Sequence, residues 1–122
     1  MIVVVASRCA ESVFRYSLLI NALGHKTLGV RETAPLLSCI LDPRSCLLII
    51  EDGFVPNKSA SSLINRIRSM PGPKSSIPII RVWKGLVIES AYDSQFVVKL
   101  NAPVTGMALA SAMLSLGLSG GG

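Results

Sequence analysis

The sequence predicts an α/β domain in which five strands alternate with helices and pair into a parallel sheet covered on both faces. Three observations lead there. Short β-branched and aliphatic runs recur at residues 2–5, 46–50 and 77–83. The first two are apolar throughout instead of alternating, as in strands buried on both faces. Between the runs the apolar period lengthens to that of a helix, and strands alternating with helices are how parallel sheets are built.

Each element follows from its own residues. Residues 2–5 form the first strand, with polar Ser7 and Arg8 just after it. A helix is predicted over roughly 9–23, where Val13, Leu18, Ile20 and Leu23 lie among Glu11, Arg15, Ser17 and Asn21, with Gly24 as its stop. Residues 26–30 make a short second strand. Thr33 before Ala34 and Pro35 resembles an N-cap with proline in the first turn of a second helix, which Asp42 and Pro43 end. Residues 46–50 are the strongest strand signal, closed by Glu51, Asp52 and a loop of Gly53, Phe54, Val55, Pro56 and Asn57. A third helix starts near Ser59, puts Leu63, Ile64, Ile67 and Met70 on one stripe, and breaks at Pro71, Gly72 and Pro73. Residues 77–83 and 95–100 are the fourth and fifth strands, and the last helix covers 103–116. Residues 84–94 are close to the minimum for a parallel crossover, so the fourth helix is expected to be short, irregular or missing. Lys84 and Gly85 alternatively turn the chain into a hairpin strand over 86–90.

Composition narrows the function classes. With 122 residues, half of them hydrophobic, the chain builds one core without metals or crosslinks. Only 16% of residues are charged and the mean hydropathy is +0.56, which leaves apolar surface for a partner. The net charge of +5 is spread over scattered Lys and Arg without interleaved aromatics, so no nucleic-acid partner is expected. Cys9, Cys39 and Cys46 include no Cys-x-x-Cys pair, and the single His25 completes no metal site; they read as reduced core thiols of a cytoplasmic protein. The start of the chain has no basic segment before its apolar run and is a poor signal peptide.

Residues 100–122 contain no charged side chain. The apolar run is too short and too interrupted for the roughly 20 residues of a membrane span. A buried interface is expected instead, with Val104, Met107, Leu109, Met113 and Leu114 as its residues and a homodimer as its product. Residues 1–116 are then one domain, and the Ser/Gly-rich 117–122 read as a tail or linker toward an output domain.

In parallel sheets function gathers at the carboxyl ends of the strands, where Ser7, Arg8, Glu51, Asp52, Trp83 and Lys99 are expected. The segment LLIIEDGFVPN, an apolar strand ending in aspartate with proline four positions later, and FVVKLNAP, an apolar strand ending in lysine before a helix, together resemble the receiver domain of two-component response regulators. The resemblance spans residues 2–116 and implies a flavodoxin-like (βα)5 doubly wound sheet of order 2-1-3-4-5. It puts Asp52 at the phosphoacceptor position and Lys99 at the family lysine. Ser7 and Arg8 fall where receivers carry the acidic pair that holds Mg2+, with Glu51 nearby, and Trp83 falls at the switch Ser/Thr. No proline follows Lys99 directly, although the family has a cis-proline there.

These departures imply a degenerate, or pseudo-receiver, branch. Mg2+ wants hard oxygen ligands, and phosphoryl transfer needs charge neutralised as it moves, so Mg2+ binding is expected to be weak or absent. Arg8 is expected either to form an ion pair with Asp52, the favoured reading, or to imitate the cation. The implied function is signal transduction by dimerisation or partner docking, with no enzymatic activity, and with a histidine kinase or an output domain as partner. The alternatives are a true acceptor phosphorylated on Asp52 and a small flavodoxin-like enzyme or ligand-binding protein. The last has no Gly-rich phosphate loop, nucleophile elbow or Cys–His pairing behind it.

Overall fold

A computed structural model describes residues 2–54, 60–83, 97–101 and 104–118, without the side chains of residues 60, 61, 83 and 101. Five described strands form one parallel sheet: β1 (Ile2–Ala6), β2 (Lys26–Val30), β3 (Ser45–Glu51), β4 (Ile79–Trp83) and β5 (Val97–Asn101), in the order β2-β1-β3-β4-β5. This is the predicted 2-1-3-4-5 order. The described helices are α1 (Ala10–Ala22), α2 (Leu36–Leu41), α3 (Ala60–Arg68) and α4 (Gly106–Ser115).

The unbroken apolar strands produce two cores. Side chains alternate along a strand, so Val4, Ala6, Leu48 and Ile50 face α2 and α3, where Leu36, Ile40, Leu63, Ile64 and Ile67 meet them. Val3, Val5, Leu47 and Ile49 face the other way and pack with Tyr16 and Ile20 of α1 and Leu109 and Met113 of α4. The alternation then carries the polar residues that follow each strand to opposite faces, which decides the chemistry at the strand ends.

Helix ends follow local backbone chemistry. Gly24, at φ 91°, lets α1 close: its N–H donates to the Asn21 carbonyl at 3.0 Å while the His25 N–H reaches the Ile20 carbonyl at 3.2 Å. Gly117 and Leu118 end α4 the same way on Leu114 and Met113. The start of α4 differs from the expectation at residue 103. Thr105 is the N-cap, its hydroxyl accepting from the Ala108 N–H at 3.1 Å, and the helix begins at Gly106. Thr33 does not cap α2: Pro35 occupies that place, Leu36 donates to the Thr33 carbonyl, and a turn precedes the helix. β4 begins at Ile79, not residue 77, because Pro73–Ser76 form a 3-10 turn first.

Cys9 is exposed, which corrects its reading as a core thiol: it stands at the N-cap of α1 outside both cores. The expectations for residues 84–94, including the short crossover and the hairpin strand, lie outside the described residues.

Candidate functional site

The carboxyl ends of β1, β3 and β4 meet as the topology requires. Ala6 is level with Ile50 on one side and Val30 on the other, and Ile50 is level with Arg81. β3 runs through Glu51, and Asp52 follows at the mouth, its backbone N–H still donating to the Val82 carbonyl at 2.7 Å. Gly53, at φ 88°, then turns the chain so that Phe54 drops back into the core under α3.

The two adjacent carboxylates part company here. Glu51 is 3% exposed and points into the α1 side of the sheet. The fully buried Ser7 hydroxyl donates to its Oε1 at 2.8 Å, and the Tyr16 hydroxyl donates to its Oε2 at 3.0 Å. The Cys9 N–H in turn donates to Ser7 Oγ at 3.1 Å, fixing the hydroxyl's place. Burial, with Glu51 beside it, pushes the Tyr16 phenol up from 10.0 to about 12. Glu51 therefore belongs to an internal hydrogen-bonded cluster, although the sequence places it next to Asp52.

Arg8 corrects a second expectation. It forms no ion pair with Asp52: among the described residues the one ion pair is Arg44 with Asp42. Its Nε donates instead to the Phe54 carbonyl at 2.8 Å, and its guanidinium lies 6.0 Å from the Phe54 ring centroid. A neutral carbonyl and an aromatic face hold the guanidinium without the entropic cost of ordering a second exposed side chain. The partly exposed carboxylate of Asp52 accepts no hydrogen bond from the described residues.

Lys99 does not end its strand, which corrects the reading of FVVKLNAP as a strand that stops at the lysine. It is the third of five residues in β5, level with Arg81, whereas Asn101 is the residue level with Trp83 at the end of β4. At about 3.3 Å per residue and about 4.8 Å per strand, Lys99 lies two residues below the Asp52 level and two strands across, roughly 12 Å between Cα atoms. By alternation Lys99 and the buried Arg81 face the same side, so two cations lie opposite each other on neighbouring strands. Trp83 ends β4 as expected, and its side chain lies outside the described residues.

The proposed interface residues divide. Val104, Leu109 and Met113 are buried among Val3, Val5 and Tyr16, so the chain's own core uses them and no partner reaches them. Met107 and Leu114 stand on the outer side of α4, 83% and 67% exposed. Tyr16, Phe54 and Arg81 had no place in the sequence reading of the site. Tyr16 is signalled by its period with Ile20 on the buried stripe of α1, and Phe54 by being a large apolar residue two positions after Asp52. Arg81 gave a weaker signal, as a charge inside an apolar run.

No His, Cys, Asp or Glu cluster of metal-binding size occurs among the described residues, and no described helix is long and apolar enough to cross a membrane. No family model matches the chain, and no curated protein matches it in sequence. Solved structures do. A response regulator receiver domain protein from Clostridium thermocellum superposes with a TM-score of 0.79 at 15% identity, over 94% of this chain and 92% of that one. A response regulator from Chloroflexus aurantiacus, described as putative, gives 0.77 at 15% identity, over 94% and 95%. A response regulator receiver domain from Methylobacillus flagellatus gives 0.75 at 14% identity, over 95% and 98%. The chain has the flavodoxin-like fold of receiver domains.

Proposed function

We propose that this chain is an atypical receiver that acts in signal transduction by associating with a second copy or docking a partner, without ordinary Mg2+-dependent phosphorylation. One observation carries the reading: Glu51, the carboxylate beside the acceptor, is turned into the core and held by Ser7 and Tyr16. Ser7 and Arg8 add no carboxylate at the other positions, and Arg8 is engaged by Phe54. Among the described residues Asp52 is left as a single carboxylate, whereas Mg2+ is usually bound through one or two carboxylates together with substrate phosphates. The metal's share of charge neutralisation in phosphoryl transfer is then missing, and the register of Lys99 weakens the lysine's share.

Incubation with acetyl phosphate and Mg2+ tests this by intact mass. The expected result is an unmodified chain. A phosphoryl adduct that disappears in Asp52→Asn contradicts the proposal and supports the second reading, a genuine acceptor. That reading has its own observation, the accessible Asp52 carboxylate at the strand end. For association, the outer side of α4 offers Met107 and Leu114 to a second copy, and an output domain fits the same apolar surface.

A further inference from the structure

An open cleft of ≈ 540 Å³ lies beside edge strand β2, with Arg8, Arg31 and Glu32 around it and Val30, Pro35 and Cys39 in its wall. Its two arginines come from different loops. Arg8 follows β1 and Arg31 follows β2, and these strands are in register at Ala6 and Val30, so both residues leave the sheet at the same end. An Arg31 Nη2 donates to the Arg8 carbonyl at 3.2 Å, and Arg8 Nε donates to the Phe54 carbonyl at 2.8 Å. Both guanidiniums are thus anchored by neutral backbone oxygens. Neither has a carboxylate within ion-pair distance among the described residues, although Glu32 lines the same cleft.

A guanidinium has five N–H donors in a fixed fork, and each anchor uses only one of them. Two such forks sharing a concave surface match a dianion, because a phosphate monoester carries close to two charges near neutral pH and three acceptor oxygens. A monocarboxylate leaves one fork idle. The volume falls in the range of about 300–1,000 Å³ used by small-molecule sites, larger than a bare phosphate fills. The exposed Pro35 and the half-buried Cys39 give the wall an apolar part that accepts an apolar or planar body.

We propose that the cleft binds a small phosphomonoester, its phosphate gripped by Arg8 and Arg31 and its organic body lying against Pro35 and Cys39. Glu32 at the rim accepts from a hydroxyl or amino group on that body. The cleft shares Arg8 with the strand-end site, but Asp52 does not line it, so the proposal does not require Asp52 to be phosphorylated.

Cys39 supplies the test, because it is half-buried in the cleft wall while Cys9 is exposed outside it. The full chain is labelled with a small maleimide in the presence of AMP or phenyl phosphate, with adenosine and inorganic phosphate as controls, and affinities follow from titration calorimetry. The expected result is saturable protection of Cys39 but not Cys9 by at least one of the two phosphomonoesters. Protection by adenosine should be absent and by inorganic phosphate clearly weaker. Arg31→Ala, an exposed position, should weaken binding about tenfold to a hundredfold. No protection by either phosphomonoester at millimolar concentration, equal protection by inorganic phosphate, or unaltered binding in Arg31→Ala overturns the proposal.

Discussion

A chain carrying both Ser7→Ala and Tyr16→Phe is expected to lose about 3 to 5 kcal/mol of folding stability, measured by urea unfolding, because the buried Glu51 carboxylate loses both hydroxyl donors. Tyr16→Phe alone should cost about 2 kcal/mol, since Ser7 still serves Oε1. The same cluster sets an alkaline limit. The Tyr16 phenol ionises near 10 in the unfolded chain and is held up to about 12 when folded. The folded state thus binds the proton more tightly. Its stabilising contribution is full below pH 10 and is lost as pH rises through 12. Tyr16→Phe should flatten that decline between pH 10 and 12, so that mutant and parent converge at the alkaline end.

The second large effect separates core from surface on α4. Leu109→Ala should cost about 2–5 kcal/mol, because the side chain is fully buried against β1, β3 and α1 and its loss leaves a cavity. Leu114→Ala, one face away, should change stability by no more than about 0.5 kcal/mol. Glutamate at the same places sharpens the contrast. Leu109→Glu buries an unpaired charge and should prevent folding. Leu114→Glu and Met107→Glu should fold normally and lower the mass seen by light scattering, if the outer face of α4 is where two copies meet. Unchanged mass in both variants moves the partner surface elsewhere.

That contrast also shows what the sequence left hidden. The last helix is apolar nearly all round and has no charged residue, so periodicity offered no way to tell Leu109 and Met113, which face the sheet, from Met107 and Leu114, which face outward. Its start was equally ambiguous: Pro103 suits a first turn, but the Thr105 hydroxyl caps a later one. The sheet was far more legible. Residues 2–5 and 46–50 are apolar on both faces, and only a central parallel strand explains that, so the order around them followed once the resemblance was recognised.

The site was legible as a location and not as a set of contacts. Asp52 was readable at the end of β3 because the apolar run stops there. The fate of Glu51 was not, because it depends on Tyr16, 35 residues away in the chain and brought close by the packing of α1. Arg8 was assigned to the nearest carboxylate on charge balance, yet an exposed ion pair gains little in water and a backbone carbonyl beside an aromatic ring competes well. The end of the strand that carries Lys99 is hidden for a different reason. The run FVVKLN suits a strand throughout, and only pairing with β4 shows that the strand continues two residues past the lysine.

If Asp52 lacks an acidic pocket for Mg2+, as proposed, the metal leaves the strand-end amides undisturbed. Amide spectra of the isotopically labelled chain, recorded as Mg2+ is raised into the millimolar range with beryllofluoride present, probe this directly. The signals of Asp52, Gly53 and Trp83 should stay in place. Saturable shifts at these three residues at submillimolar Mg2+, abolished by Asp52→Asn, would show that a working acceptor site survives.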